Sequence, residues 1–295
     1  MKLTLLGTGS PVPSVKKCSA GYMIETGKDV VLMDVGPGTV YRLLEAGKRV
    51  TDVTHVLLSH LHFDHWLDLI RLVLTRWDTG HPDLPALKVY APSGINHIFE
   101  RLFGPDGALK LDITARTNHP QSLAIYEGRG GSGERPGPMT EVIEIGEGDV
   151  IEGETWKVSL ANVPHCQPYL ISFGMRMEAD GGILAYSSDI TCNPENGAPK
   201  GLYKLANNAD VLVQYVNVFG VPLEASANQV SQPAFHSMIA ELARDTNVGT
   251  LVTTHHGPHV DRDGIRERII AEIGAIYPGR VVWGQDLMTF EVGQT

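Results

Sequence analysis

The run His60-Leu61-His62-Phe63-Asp64-His65 places four metal-competent side chains within six residues. It follows Thr54-His55-Val56-Leu57-Leu58-Ser59, an apolar stretch that predicts a strand. Leu67, Ile70, Leu72, Val73 and Leu74 come after it at a spacing that predicts a helix lasting to about Trp77. On extended backbone His60 and His62 point the same way, being two apart. Asp64 and His65 fall where the chain must turn into the helix. A single His on a strand is more often a packed core residue than a ligand. Burying four ionisable groups in six residues is costly unless something pairs them, so this motif reads as a metal site.

Outward from the motif, three more segments end a strand in a suitable donor. His165 follows Val163-Pro164, Asp189 follows Tyr186-Ser187-Ser188, and His255 follows Leu251-Val252-Thr253-Thr254. Sites collect where strands hand over to loops. Imidazole and carboxylate donors suit zinc, and also iron or manganese. A pair of such ions sharing a carboxylate lowers the pKa of bound water and supplies a nucleophile without serine or cysteine. His256 competes with His255, but strand alternation points the two oppositely. The same alternation turns Cys166 away from His165, and Cys166 and Cys192 read as buried structural thiols.

The remaining chain alternates strands and helices. Strands are predicted at Leu3–Leu6, Gly21–Thr26, Val30–Asp34, Leu87–Tyr90, Trp156–Val163, Leu170–Met177, Gly182–Ser187, Val211–Val216, Val281–Trp283 and Met288–Val292. Helices are predicted at Thr39–Ala46, Gly94–Phe103, Pro233–Arg244 and Ile265–Ile276. Residues 104–148 carry Gly128-Arg129-Gly130-Gly131-Ser132-Gly133 and Pro136-Gly137-Pro138, which predicts a long loop or flap. Arg129 and Arg135 within it either cap the site, meet a second subunit or, as the simplest reading, sit in solvated loop. No linker divides residues 1–295, so a single domain is expected.

Net charge is −10, which gives no long-range attraction for nucleic acid. Three cysteines at irregular spacing read as reduced thiols. With no membrane-spanning run and no signal-like start, a cytoplasmic protein is expected.

At these residues the chain resembles the metallo-β-lactamase superfamily, within it the RNase Z-like and arylsulfatase-like branch. Leu6-Gly7-Thr8-Gly9-Ser10-Pro11 resembles the branch's opening turn and Asp34-Val35-Gly36-Pro37-Gly38-Thr39 its DxGxGT element. Val89-Tyr90-Ala91-Pro92-Ser93-Gly94, Leu251 to His255 and Gly284-Gln285-Asp286-Leu287-Met288 match further elements. The resemblance implies an α/β fold, an αββα sandwich with the site at one edge, and a homodimer. It implies two zinc ions, one on His60, His62 and His165, the other on Asp64, His65 and His255, with Asp189 bridging. Asp34 would support the metal loop from behind. Asp64 would orient the nucleophile, and His236 would protonate the leaving group, although it stands about one helical turn nearer to His255 than is usual. Phe63, Trp66 and Tyr169 neighbour ligands and are candidates for an aromatic substrate pocket.

RNase Z proper matures tRNA 3′ ends with a flexible arm between the motifs matching His165 and Asp189. Here only Cys166 to Ser188 separates them, and the family's HEAT-like run is replaced by Gln214-Tyr215-Val216-Asn217. With the acidic charge, these departures favour a small ester substrate, phosphodiester or aryl sulfate, over nucleic acid. A lactonase and a tRNA 3′-processing endonuclease are the enzymatic alternatives. A metal-containing sensor without turnover is the alternative of another class.

Overall fold

Alternation along the strands decides how the sheets stack. In Val211-Leu212-Val213 the two valines join one apolar cluster and the leucine another, and Leu251-Val252 divides in the same way. Each strand therefore has two buried faces, as expected of sheets covered on both sides. The structure is a computed structural model describing residues 1–191, 197–216 and 233–293. Cys192 and Asn217, both read above, lie outside these.

The first sheet holds β1 (Lys2–Gly7), β2 (Gly21–Thr26), β3 (Asp29–Val35), β4 (His55–Leu57), β5 (Leu87–Pro92) and β6 (Thr140–Ile145). The second holds β7 (Val150–Glu152), β8 (Trp156–Asn162), β9 (Phe173–Ala179), β10 (Gly182–Tyr186), β11 (Val211–Tyr215), β12 (Thr250–Thr254) and β13 (Arg280–Trp283). A last strand, β14 (Thr289–Glu291), returns to pair with β1, so the orders are β14-β1-β2-β3-β4-β5-β6 and β13-β12-β11-β10-β9-β8-β7. The described helices are α1 (Thr39–Glu45), α2 (Phe63–Trp66), α3 (Asp68–Thr79), α4 (Ile95–Phe103), α5 (Lys110–Asn118), α6 (Pro120–Gly128), α7 (Lys200–Ala206), α8 (Pro233–Asp245) and α9 (Ile265–Gly274).

Between the sheets, Leu3, Leu5, Val31 and Met33 meet Met175, Met177, Val213 and Val252. Outside the first sheet, Leu32, Val56 and Val89 pack on Leu43, Leu72 and Ile95. Outside the second, Leu212 and Leu251 pack on Leu202, Ile239 and Ile269. The αββα sandwich expected from the sequence is the fold observed. Burying each such Leu or Ile contributes roughly 1.5–3 kcal/mol.

β3, β4 and β5 run parallel, as do β10, β11, β12 and β13. Ligands of open α/β sheets bind beyond the carboxyl ends of such strands; the His60–His65 run, Asp189 and His255 each follow one, while His165 follows β8, which pairs antiparallel with β7 and β9. Between His165 and Asp189, β9 and β10 are joined through Asp180 and Gly181, both at positive φ (51° and 74°). That is a two-residue hairpin of the kind that needs φ > 0 at both positions, so no arm stands here.

The loop or flap predicted over 104–148 is corrected. The segment folds into α5 and α6, and then β6 pairs in parallel with β5. Pro120 opens α6, and the His119 ring accepts from the Gln121 N–H. Neither helix buries a residue, so the apolar periodicity that reveals a helix is missing. Nor is Arg135 in solvated loop: its side chain is buried, pairs with Asp78 at 2.9 Å and lies over the Trp77 ring at 4.6 Å. Arg129 donates to the Asp78 carbonyl. Both arginines thus dock on the far end of α3, whose twelve residues span roughly 18 Å.

Candidate metal centre

The chain stays extended through His62 (φ −69°, ψ 140°) and then enters α2, which puts Asp64 and His65 in its first turn. His60 and His62 therefore approach from a strand-like segment, and Asp64 and His65 from a helix. Gly36 permits this: a Cβ there would stand 2.0 Å from the Asp64 carbonyl oxygen. Three non-glycine residues at the strand ends, Asp34, Ser188 and His255, take left-handed φ values of 57°, 58° and 62°. Such conformations persist where the surroundings over-determine them, and they gather at functional sites.

Seven side chains from both sheets converge. His62 Nδ1 lies 3.1 Å from His60 Nε2 and 3.0 Å from His165 Nε2. His255 Nε2 lies 3.2 Å from both Asp64 Oδ2 and Asp189 Oδ2. His65 Nε2 lies 3.5 Å from Asp64 and 3.4 Å from Asp189 Oδ1. Donors 2.0–2.1 Å from a tetrahedral ion stand about 3.3 Å apart, close to these separations. Among the described residues the metal-competent groups are His60, His62 and His165; Asp64, His65 and His255; and His60, His65 and Asp189. The first two are the sets implied by the resemblance, and the third puts Asp189 between them. Among the described residues His65 Nε2 is buried without a hydrogen-bond partner, as a nitrogen reserved for an ion would be. The donor set fits a divalent metal.

Protonation favours the same use. Burial holds His60 well below its ordinary pKa, and it lowers His62 and His165 too, keeping their lone pairs free. Burial alone would raise Asp64 and Asp189, but His255 and His65 outweigh it and keep both carboxylates ionised. His65 is the exception. Burial would lower it, yet Asp189 and Asp34 raise it well above the ordinary value, marking a spot that seeks positive charge.

Asp34 is fully buried and accepts four hydrogen bonds: Ser59 N–H (2.7 Å), Ser59 hydroxyl (2.8 Å), His65 Nδ1–H (2.8 Å) and Tyr186 hydroxyl (2.7 Å). An ionised carboxylate only accepts, so the His65 proton sits on Nδ1 and Nε2 faces the cluster. Carboxylate partners of this kind fix the tautomer of a ligating His. The sequence reading found Asp34 and missed Tyr186 and Ser59. Ser59 directly precedes His60, and that adjacency was the signal.

His256 points away from the cluster, as alternation predicts, onto Lys17 and Thr253. His236 lies in the first turn of α8, fully buried, and donates from Nδ1 to Glu272 of α9 at 2.6 Å. Its pKa is lowered by burial against the pull of Glu272. Phe63 and Tyr169 are exposed beside their neighbouring ligands. Trp66 packs partly into the outer core and donates from its indole to the Leu61 carbonyl. Cys166 is half-buried and free, which corrects the buried thiol expected there; an exposed loop, not a strand, carries it.

Among the described residues no helix is long and apolar enough to cross a membrane. The chain matches the metallo-β-lactamase superfamily over residues 19–176. It is 30% identical over 298 residues to a protein of Mycobacterium bovis named Ribonuclease Z, covering 99% of this chain and 98% of that one. A Ribonuclease Z of Mycolicibacterium gilvum is 28% identical over 264 residues, covering 88% and 85%. In fold it is similar to the metallo-β-lactamase fold protein YhfI from Bacillus subtilis (TM-score 0.69, 16% identity, covering 98% and 99%). The short form of human tRNase Z is similar as well (TM-score 0.65, 20% identity, covering 99% of each). These matches correct the case against nucleic acid. An end-to-end match leaves no room for a long arm in the M. bovis protein that this chain lacks, so a short His165–Asp189 connection is compatible with the ribonuclease Z name. The chain belongs to the metallo-β-lactamase superfamily, in its RNase Z-like branch, and is a hydrolase of that fold.

Proposed function

We propose that this hydrolase is a two-zinc phosphodiesterase acting on RNA, cutting near a 3′ end. The observation that carries the reading is the end-to-end match to a protein named Ribonuclease Z, combined with a complete set of seven donors. It replaces the preference for a small phosphodiester or aryl sulfate ester with one of the two enzymatic alternatives, the tRNA 3′-processing endonuclease; the relatives' names support neither the sulfate ester nor the lactonase.

His60, His62 and His165 would hold one ion, Asp64, His65 and His255 the other, with Asp189 shared. Ions held there supply Lewis acidity to phosphate oxygens and a nucleophile from water at neutral pH. Asp64, kept ionised, accepts a hydrogen bond from the attacking water and aims it. Phe63, next to His62 and Asp64 in the chain, and Tyr169, four residues after His165, offer exposed flat faces, on which bases stack regardless of sequence. His236 is the proposed proton donor to the leaving oxygen. With Nδ1–H held by Glu272, Nε2, without a hydrogen-bond partner among the described residues, is the nitrogen left to carry that proton; burial disfavours the charged ring, so the anionic phosphate would have to draw the second proton in.

A second reading, hydrolysis of a small organic phosphodiester, is favoured by the net charge of −10. The zinc-loaded protein should be tested on an RNA with a 3′ extension and on a chromogenic aryl phosphodiester, each with a chelator-treated control. Chelator-sensitive RNA cleavage supports the main reading. Turnover of the aryl diester alone supports the second. Turnover of neither, in a sample carrying two metals, removes both.

A further inference from the structure

Lys17 is buried, stands far from the ligand motif in sequence, and has no part in the chemistry above. Its ammonium lies 2.8 Å from His256 Nδ1, 3.1 Å from the Gly284 carbonyl and 3.4 Å from Asp261. An ammonium only donates, so His256 Nδ1 accepts and the ring proton sits on Nε2. That nitrogen faces the Thr253 hydroxyl at 3.0 Å, and Thr253 donates onward to the Val282 carbonyl at 3.4 Å. The His256 ring also stacks on Trp283, with centroids 3.8 Å apart and planes 10° apart. The Trp283 indole is itself fixed by Asp261 at 2.8 Å. Finally, the His256 N–H donates to the Thr8 carbonyl at 2.8 Å, and Thr8 is held by Asp286 through both its N–H and its hydroxyl.

Every polar group of the His256 side chain, and its backbone N–H, is thus committed. The neighbour so restrained is His255, at φ 62°, whose Nε2 sits 3.2 Å from two carboxylates. A residue held in the left-handed region relaxes unless both sides are fixed. We infer that Lys17 is a positioning residue: by clamping His256 against Trp283 it holds His255 in its left-handed conformation, and so sets the affinity of the metal taken by Asp64, His65 and His255. The inference rests on the two-metal reading. His60, His62 and His165 lie on other segments, so the ion they take is outside the reach of the clamp.

The test is zinc binding by competition with a chromogenic chelator, on wild type, Lys17→Met, Lys17→Arg and Thr253→Val. Wild type should take up two equivalents. Lys17→Met should keep one at wild-type affinity and weaken the other by roughly 10–100-fold, the range for residues that orient ligating histidines. Lys17→Arg should restore much of the loss. Thr253→Val, which removes only the hydroxyl at nearly constant volume, should weaken the same equivalent about threefold (about 0.6 kcal/mol at RT ≈ 0.59 kcal/mol). Equal weakening of both equivalents, or none, in Lys17→Met and Thr253→Val overturns the clamp. If Lys17→Met does not fold, Thr253→Val decides by the same criterion. A wild type that binds a single equivalent overturns instead the two-metal reading beneath it.

Discussion

Asp34→Asn changes one atom in a site where every hydrogen bond has a direction. The carboxylate takes one donor on Oδ1, the Ser59 N–H, and three on Oδ2, from Ser59, His65 and Tyr186. In the variant the amide keeps its oxygen on the Ser59 N–H, and its NH2 group then faces all three of the others. The two hydroxyls can turn to accept. The imidazole cannot, unless its proton moves to Nε2, the nitrogen that faces Asp64 and Asp189. Bonds to a charged group contribute roughly 1.5–3 kcal/mol each. One lost outright and two weakened therefore cost about 3 kcal/mol, a fall in Tm of roughly 5–10 °C in a protein of this size. Zinc affinity should drop by roughly 10–100-fold, because the lone pair of His65 is now protonated. Chelator competition measures the affinity, and nitrogen NMR of the imidazoles reads the tautomer. Tyr186→Phe, losing one bond of four to that carboxylate, should cost about 1.5–3 kcal/mol and leave the tautomer unchanged. Wild-type zinc affinity in Asp34→Asn, with the proton still on Nδ1, would refute the reasoning.

His62→Ala removes the nitrogen lying between His60 and His165 and should lose most bound metal and activity while the circular dichroism spectrum stays native; full retention of both sinks the site assignment. Gly36→Ala forces a methyl group towards the Asp64 carbonyl, so metal content and Tm should both fall, and a crystal structure should show the metal loop displaced. Phe63→Ala and Tyr169→Ala are exposed changes that should alter stability by less than about 0.5 kcal/mol, yet raise KM for RNA; unchanged KM in both ends the stacking role. At Asp78 burial pushes the carboxyl up, but Arg135 and Arg116 outweigh it and hold the pKa below the ordinary value. The stabilisation is therefore complete above the ordinary carboxylate range and is lost as pH falls through the lowered value. Hydrogen exchange over residues 110–128 should accelerate on that acid side in wild type and lose this pH dependence in Asp78→Asn.

The two sheets were legible because apolar alternation and strand-ending donors survive in a single sequence, and HxHxDH is dense enough to demand a metal. His165, Asp189 and His255 were found by their places after strands, and the structure brings all three to the motif. What escaped was long-range or unpatterned. α5 and α6 lie on the surface with no buried stripe, so the glycines beside them dominated the reading. Arg135 looked solvated because its partners, Trp77 and Asp78, stand some 57 residues away. Lys17 sits in a Lys-Lys pair that resembles any exposed basic run, and its partner His256 lies 239 residues further on. Only the folded chain joins them.

The split of the donors between two sheets has a consequence for synthesis. His60, His62, Asp64 and His65 belong to the first sheet, while His165, Asp189 and His255 belong to the second. On a ribosome adding roughly 5–20 residues each second, about 190 residues separate His65 from His255, an interval of roughly 10–40 s. For that time the emerging chain carries four strong donors with no partners to complete a binding site. Any zinc captured then would be held by the motif alone, weakly and exchangeably. Stable uptake awaits the closing strands, so metal loading reports on completion of the whole sandwich and not on its first half.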